Sequence, residues 1–337
     1  MLRYKSFFKR ILNPKLIKLL KYFARFINYG SQSLQSPTPL QPKIKFSNNW
    51  LSKAPSRISK NESSLVYLVS PTQRSGTNFL SYMLKSHPEI YLPEKPDFPN
   101  EHFILSYAHH LKNYVNDTIK IWGKWFTEHN DKDFILNTEA NNLMSSLGFG
   151  LMNYFNSLNN NSKYILLRTP DALNINLYFN LFPDAKIIIL LRDGRDTVES
   201  YISSWGGAKI FRYMTKRWSQ RMQQINDFIE NNNHSKQILI IKYEDIVQNK
   251  DLLLNKTFNF LDLDQSKYDW NQLNEIPILG SSSFKDKENN VHWNPIIKED
   301  YKPINKWIKW SKTKKSYFKK HAGKWLIKYD YESNNNW

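Results

Sequence analysis

The run Leu65-Val-Tyr-Leu-Val-Ser70 passes directly into Pro71-Thr-Gln-Arg-Ser-Gly-Thr77, and this junction decides the fold. Its first half is apolar and β-branched, the composition of a strand buried on both faces. Its second half is a short loop with one arginine, one glycine and hydroxyl residues. Beyond it, Phe79, Leu80, Met83 and Leu84 recur at helical spacing over Asn78 to Ser86. Strand, tight loop and helix N-terminus aim backbone N–H groups and the positive end of a helix dipole at one point. Such a point suits a phosphate or sulfate group.

Working outward, similar aliphatic runs recur at Tyr164–Arg168, Ala185–Leu191 and Gln237–Tyr243. Helices are predicted from Asp171, over Asp193–Trp205, and from Glu244-Asp245 through Phe260. Residues 100–160 read as largely helical, with Ala108–Val115 and Leu143–Leu158 as helices. Buried-type strands alternating with helices predict an α/β fold with a central, mostly parallel sheet flanked by helices. Ligands then belong at the C-terminal ends of the strands.

The chain has 337 residues, 40% of them hydrophobic and 15% aromatic, enough for a large core. It has no cysteine, which excludes disulfides, thiolate catalysis and cysteine-held metals and fits a reducing compartment. A cytoplasmic location is expected, because no apolar run reaches about 18 residues and the N-terminus lacks a signal-peptide core.

The net charge of +18 is carried by the ends. Residues 1–60 contribute +13 and residues 302–328 contribute +10, whereas 61–301 sum to −3. A nucleic-acid-binding body would carry the charge itself, so no nucleic-acid partner is expected. Within 1–60, Phe8, Ile11, Leu12, Leu16, Leu19, Leu20, Phe23 and Phe26 alternate with basic residues and read as an amphipathic segment, followed by a Ser/Gln/Pro linker. Such a segment suits an anionic membrane surface, which would make the protein peripheral to a membrane; packing on the body is the alternative. The expected organisation is this segment over 1–60, one domain over 61–330 and a short tail over 331–337.

A second candidate anion site is Leu191-Arg192-Asp-Gly-Arg195-Asp-Thr-Val-Glu-Ser200. Arg192 sits at a strand end, and Ser200 lies about two turns into the next helix. The pair could converge on one phosphate, Arg as a charged fork and Ser as a hydroxyl. A salt-bridged helix cap is the other reading of Arg-Asp-Gly-Arg-Asp.

Together the two loops resemble the sulfotransferases that use 3′-phosphoadenosine 5′-phosphosulfate (PAPS). Phe182-Pro-Asp-Ala-Lys186, Lys242-Tyr-Glu-Asp245 and Gly280-Ser-Ser-Ser-Phe284 with Trp293 follow in the order seen in that family, so the resemblance spans about 65–310. It implies the P-loop-like sulfotransferase fold and PAPS as co-substrate without a metal. Gln73, Arg74, Ser75, Gly76, Thr77 and Asn78 would bind the 5′-phosphosulfate, with Arg74 also assisting catalysis. Arg192 and Ser200 would bind the 3′-phosphate, Tyr243 would stack on adenine, and Ser281, Ser283 and Lys285 would close over the nucleotide. Tyr243 reads equally as a core tyrosine, and the serine-rich loop as a connector.

Transfer to a hydroxyl needs a base just beyond the first helix. Glu101, Glu94 and His102 are the candidates. Glu101-His102-Phe103 resembles glycan-directed relatives, while the spacing of Glu94 resembles the tyrosylprotein branch, whose paired carboxylates are interrupted here by Lys95. The expected activity is sulfuryl transfer from PAPS to a hydroxyl, a glycan acceptor first, with a carboxylate base. A P-loop-type nucleotide-dependent phosphotransferase is one rival. It is weakened because a single glycine and no lysine before Thr77 depart from the phosphate-loop motif Gly-x4-Gly-Lys-Ser/Thr. The other rival is a non-enzymatic basic adaptor for membrane or nucleic acid. Trp293, Trp307, Trp310 and Trp325 read as helix packing before sugar stacking.

Overall fold

The computed structural model describes residues 63–94, 98–125, 131–158, 162–205, 208–232, 235–276 and 303–337. The N-terminal amphipathic segment and linker lie outside these residues, as do Lys95, Ser281, Ser283, Lys285 and Trp293. No helix among the described residues is long and apolar enough to cross a membrane.

Five strands form one sheet: β1 (Ser64–Val69), β2 (Ile90–Tyr91), β3 (Tyr164–Thr169), β4 (Lys186–Leu191) and β5 (Ile238–Lys242). Their order is β2-β3-β1-β4-β5, and every pairing is parallel. The expected sheet is therefore present, and β2 is an addition that two residues are too few to announce by periodicity. Among the described residues the α-helices are α1 (Thr77–Lys85), α2 (Ala108–Trp122), α3 (Lys132–Asn156), α4 (Tyr178–Leu181), α5 (Gly194–Trp205), α6 (Ala208–Asn231), α7 (Tyr243–Gln248), α8 (Lys250–Leu261) and α9 (Lys312–Lys328).

Alternation along each strand sends side chains to two cores. Tyr67, Ile165, Leu167, Ile187 and Ile189 meet Trp218 and Met222 of α6 and Phe318 of α9. Val66, Leu68, Leu166, Ile188 and Leu190 meet Leu80, Met83 and Leu84 of α1 and Leu254 and Phe258 of α8. Both faces are covered, which is why β1, β3 and β4 are buried almost along their whole length, while β5 at the edge alternates between buried and half-buried residues.

Two expected helices start or run differently. No helix begins at Asp171, because its Oδ1 accepts the Leu173 N–H at 3.0 Å while its carboxylate pairs with Arg217 and Arg221 at 2.7 and 2.5 Å. The chain turns helical only at Ile175. The helix expected from Glu244 through Phe260 is two, because Asn249 is extended and its Oδ1 accepts the Leu252 N–H at 2.9 Å as the N-cap of α8.

Strand β1 pairs with β3 on one side and β4 on the other. The order reverses there, so the crevice beyond the C-terminal ends of β1 and β4 is the expected ligand position for such a sheet.

Candidate active site

The loop after β1 is tied to itself by hydroxyls. Ser70 Oγ and Ser75 Oγ both donate to the Thr72 carbonyl, at 3.0 and 2.8 Å. Arg74 (φ 76°) and Gly76 (φ 95°) both take left-handed backbone, which bends the chain tightly into α1. Gly76 is the residue before α1, so the first N–H groups of that helix, lacking intrahelical partners, open at the loop.

Thr77 is buried at the start of α1. Gln73 is exposed on the same loop. The Arg74 side chain crosses to the helix after β4, where its Nε donates to Ser200 Oγ at 3.2 Å. Arg192, 4% exposed, crosses back: Nη1 donates to the Arg74 carbonyl and Nη2 to the Pro303 carbonyl, both at 2.5 Å. Its guanidinium lies 4.8 Å from the centre of the Tyr243 ring, within cation–π range. That ring in turn fills the space where Gly76 lacks a side chain, since a Cβ there would meet Tyr243 Cδ2 at 2.3 Å.

Thus residues following β1, β4 and β5 converge at one corner. The remainder of Arg192-Asp-Gly-Arg-Asp also forms the salt-bridged cap. Asp193 Oδ1 accepts the Arg195 N–H at 2.8 Å and its carboxylate pairs with the Arg195 guanidinium at 2.6 Å.

A family model described as the sulfotransferase family matches residues 69–267, a span that holds the loop, Arg192, Ser200 and Tyr243. The chain belongs to the sulfotransferase family. Among curated proteins, it is 24% identical over 209 residues to protein-tyrosine sulfotransferase A of Caenorhabditis elegans, a match covering 60% of this chain and 51% of the relative. The chain thus spans about half the length of that relative. Solved structures it resembles include the sulfotransferase domain of the curacin biosynthetic pathway (15% identity, 80% and 98% of the two chains, TM-score 0.48). The sulfotransferase domain of the Synechococcus PCC 7002 olefin synthase is another (15%, 81% and 97%, 0.47).

The three candidate bases of this sulfotransferase-family chain have different surroundings. The segment bearing Glu101 is fastened to the C-terminal end of β3. Arg168 Nε donates to the Asn100 carbonyl at 2.6 Å, and the His102 N–H donates to the Arg168 carbonyl at 3.0 Å. Thr169 Oγ1 accepts the Phe103 N–H at 2.9 Å and lies 2.7 Å from the Tyr67 hydroxyl. Phe103 sits at φ 49° as the segment turns. Burial raises the Glu101 carboxyl above the ordinary carboxylate range, partly offset by the Arg168 charge.

His102 spends both ring nitrogens on backbone. Nδ1 accepts the Arg168 N–H at 2.9 Å, so Nε2 carries the proton and donates to the Pro93 carbonyl at 3.0 Å. Burial lowers it to about 4, which leaves a neutral ring without an idle lone pair at pH 7. Glu94 is ion-paired with Lys85 at the far end of α1. Of the three, Glu101 is the carboxyl with a raised pKa on the segment fixed at the sheet edge. Among the described residues no group of three or more His, Asp or Glu could hold a metal ion.

The tryptophans of the C-terminal stretch pack. Trp310 Nε1 donates to Glu199 Oε2 at 2.5 Å and Trp325 Nε1 to Ser219 Oγ at 3.0 Å. The Arg195 guanidinium lies 3.6 Å from the Trp307 ring centre and 4.5 Å from that of Trp337, and it also pairs with Glu332.

Sequence reasoning missed Glu244. Its Oε1 accepts the Asp193 N–H at 3.0 Å, and burial pushes its carboxyl up to about 7. The native state therefore holds a proton that the unfolded chain has released above its ordinary 4.5. Stability from this group is present below that value and is lost as pH rises towards 7. Glu244→Gln keeps the oxygen that accepts from Asp193. It is expected to match wild type in thermal unfolding at pH 4 and to exceed it at pH 8 by about 1–2 kcal/mol. Parallel melting temperatures for the two proteins across pH 4–8 would remove Glu244 as the source.

Proposed function

We propose that this chain transfers a sulfuryl group from PAPS to a hydroxyl acceptor, a glycan hydroxyl first, with Glu101 as general base. The observation carrying the reading is the Arg74–Ser200 hydrogen bond. It joins the two loops that, by family resemblance, hold the two phosphorylated ends of one nucleotide. Buried polar atoms without a partner among the described residues lie on the same elements: Asn78 Oδ1, Arg192 Nε and Thr197 Oγ1. Such atoms are costly unless a polar ligand meets them, which supports a polar ligand on these elements.

PAPS supplies a sulfur bonded to a good leaving phosphate. Arg74, Thr77, Asn78 and the first N–H groups of α1 stabilise the negative charge that grows on the 5′-phosphate oxygen as its bond to sulfur breaks. Glu101 takes the proton that the acceptor hydroxyl loses as its oxygen bonds to sulfur. A carboxyl raised by burial is the stronger base for this step. The cytoplasmic location and the contact of 1–60 with an anionic membrane surface belong to the same reading, supported by the absence of cysteine and the charge of +13.

A tyrosyl acceptor is the second reading, favoured by the match to a protein-tyrosine sulfotransferase. It would bring Glu94 forward as base. Incubating the protein and labelled PAPS with an extract of the native host tests both. Label released by glycosidases supports the glycan, and label recovered as tyrosine sulfate after hydrolysis supports the second reading. No incorporation, together with binding of ATP in preference to 3′-phosphoadenosine 5′-phosphate, would turn the assignment to a phosphotransferase.

A further inference from the structure

Glu244 ties together the two junctions that bring Tyr243 and Arg192 to the corner. It directly follows Tyr243, whose ring faces both Arg192 and Gly76. Its Oε1 accepts the N–H of Asp193, the residue after Arg192, at 3.0 Å. Its other oxygen, Oε2, is buried without a hydrogen-bond partner among the described residues, and so is the Tyr331 hydroxyl. These two groups lie within interaction reach of each other.

From the β4–α5 junction, Glu244 is faced by the charges of Arg192 and Asp193. Around Tyr331 stand Asp193 and Asp245, with the Lys242 ammonium 5.1 Å from the Tyr331 ring centre. The acids of the junction are engaged. Asp193 pairs with Arg195, which also pairs with Glu332. The carboxylate of Asp196, in the first turn of α5, accepts the backbone N–H groups of Asn305 at 2.6 Å, Lys306 at 2.7 Å and Trp307 at 3.3 Å. Arg192 is fixed by two backbone carbonyls, yet its Nε is buried without a partner among the described residues. An ionised Glu244 therefore rests in the field of Arg192, the cation that a phosphate at this corner would also use. Phosphate and carboxylate compete for one arginine.

We propose that Glu244 is a positioning residue of the nucleotide corner and that nucleotide binding loads a proton onto its Oε2. The proton comes from solvent, and the new O–H donates to the Tyr331 hydroxyl. Both unpartnered atoms are then satisfied, and Arg192 is left to the phosphate. The assignment rests on the nucleotide reading given above and adds to it a proton taken up with the nucleotide. Burial holds the Glu244 carboxyl at about 7 before the nucleotide arrives. Affinity is therefore full below that pH and declines as pH rises past it.

Titration calorimetry of the full chain with 3′-phosphoadenosine 5′-phosphate tests it, run at pH 8 in Tris and in Hepes, whose ionisation enthalpies differ. Both phosphates of the nucleotide are ionised at that pH, so proton uptake read from the two buffers belongs to the protein. Wild type is expected to take up a proton fraction that Glu244→Gln lacks. Tyr331→Phe, which removes the receiving hydroxyl, should take up less than wild type. Between pH 6 and pH 9 the wild-type affinity should fall about 10-fold relative to Glu244→Gln, the effect of moving one group by one pKa unit. Equal proton uptake by wild type and a folded Glu244→Gln protein overturns the assignment while the nucleotide reading stands. A wild-type chain that binds no nucleotide at pH 6 overturns the reading and this assignment with it.

Discussion

Replacing Glu101 by glutamine is expected to lower turnover by about two to four orders of magnitude while nucleotide affinity stays at the wild-type value. The segment around it is held by contacts the substitution does not touch: Arg168 to the Asn100 carbonyl, His102 to the Arg168 backbone, and Phe103 to Thr169. Glutamine occupies nearly the same volume and cannot accept the acceptor's proton. The wild-type rate should climb with pH through a midpoint above the ordinary carboxylate range, because burial raises Glu101. The variant should lose that rising limb. An unchanged rate would discard Glu101 and return the role to Glu94.

Gly76→Ala is expected to weaken nucleotide binding on the order of a hundredfold and to destabilise the fold by about 1–3 kcal/mol. Two effects act together. The backbone at φ 95° is strained for any residue with a Cβ, and that Cβ would meet the Tyr243 ring at 2.3 Å. The ring is 7% exposed and backed by Arg192, so its displacement moves the arginine that braces the loop. Nucleotide titration and a denaturant melt read the two effects separately. Wild-type affinity in a folded Gly76→Ala protein would show that the ring–glycine contact does not shape the site.

Strands β1, β3 and β4 were legible because each is dry on both faces, so Leu65–Val69 and Lys186–Leu191 have no polar alternation to mistake, and β5, half-buried on one face, is still an aliphatic run. Helix α6 was also legible in principle. Phe211, Met214, Trp218, Met222, Ile225 and Phe228 recur every three or four residues and are buried, but they fall between motifs and went unread. Residues 90–91 carry no usable period, and β2 exists because Ile90 and Tyr91 find β3 beside them. The site divides in the same way. Its loops are local patterns of a few residues and were readable as such. That Arg74 reaches Ser200 across 126 positions, that Arg192 spends its fork on two carbonyls, and that Asp196 captures 305–307 are products of tertiary packing. No local spacing encodes them.

The short β2 also bears on solubility. A parallel sheet must end somewhere, and an unpaired strand edge is a template for another chain. On the β3 side, β2 covers only Tyr164 and Ile165. Farther along, His102 engages both the N–H and the carbonyl of Arg168, and Pro93, with no N–H of its own, supplies the carbonyl that holds the His102 ring. One histidine, its ring accepting the Arg168 N–H and its own backbone N–H donating to the Arg168 carbonyl, thus shuts an edge that a full strand would otherwise have to close. A substitution at His102 would leave the Arg168 N–H unpaired at that edge, so its first symptom should be self-association.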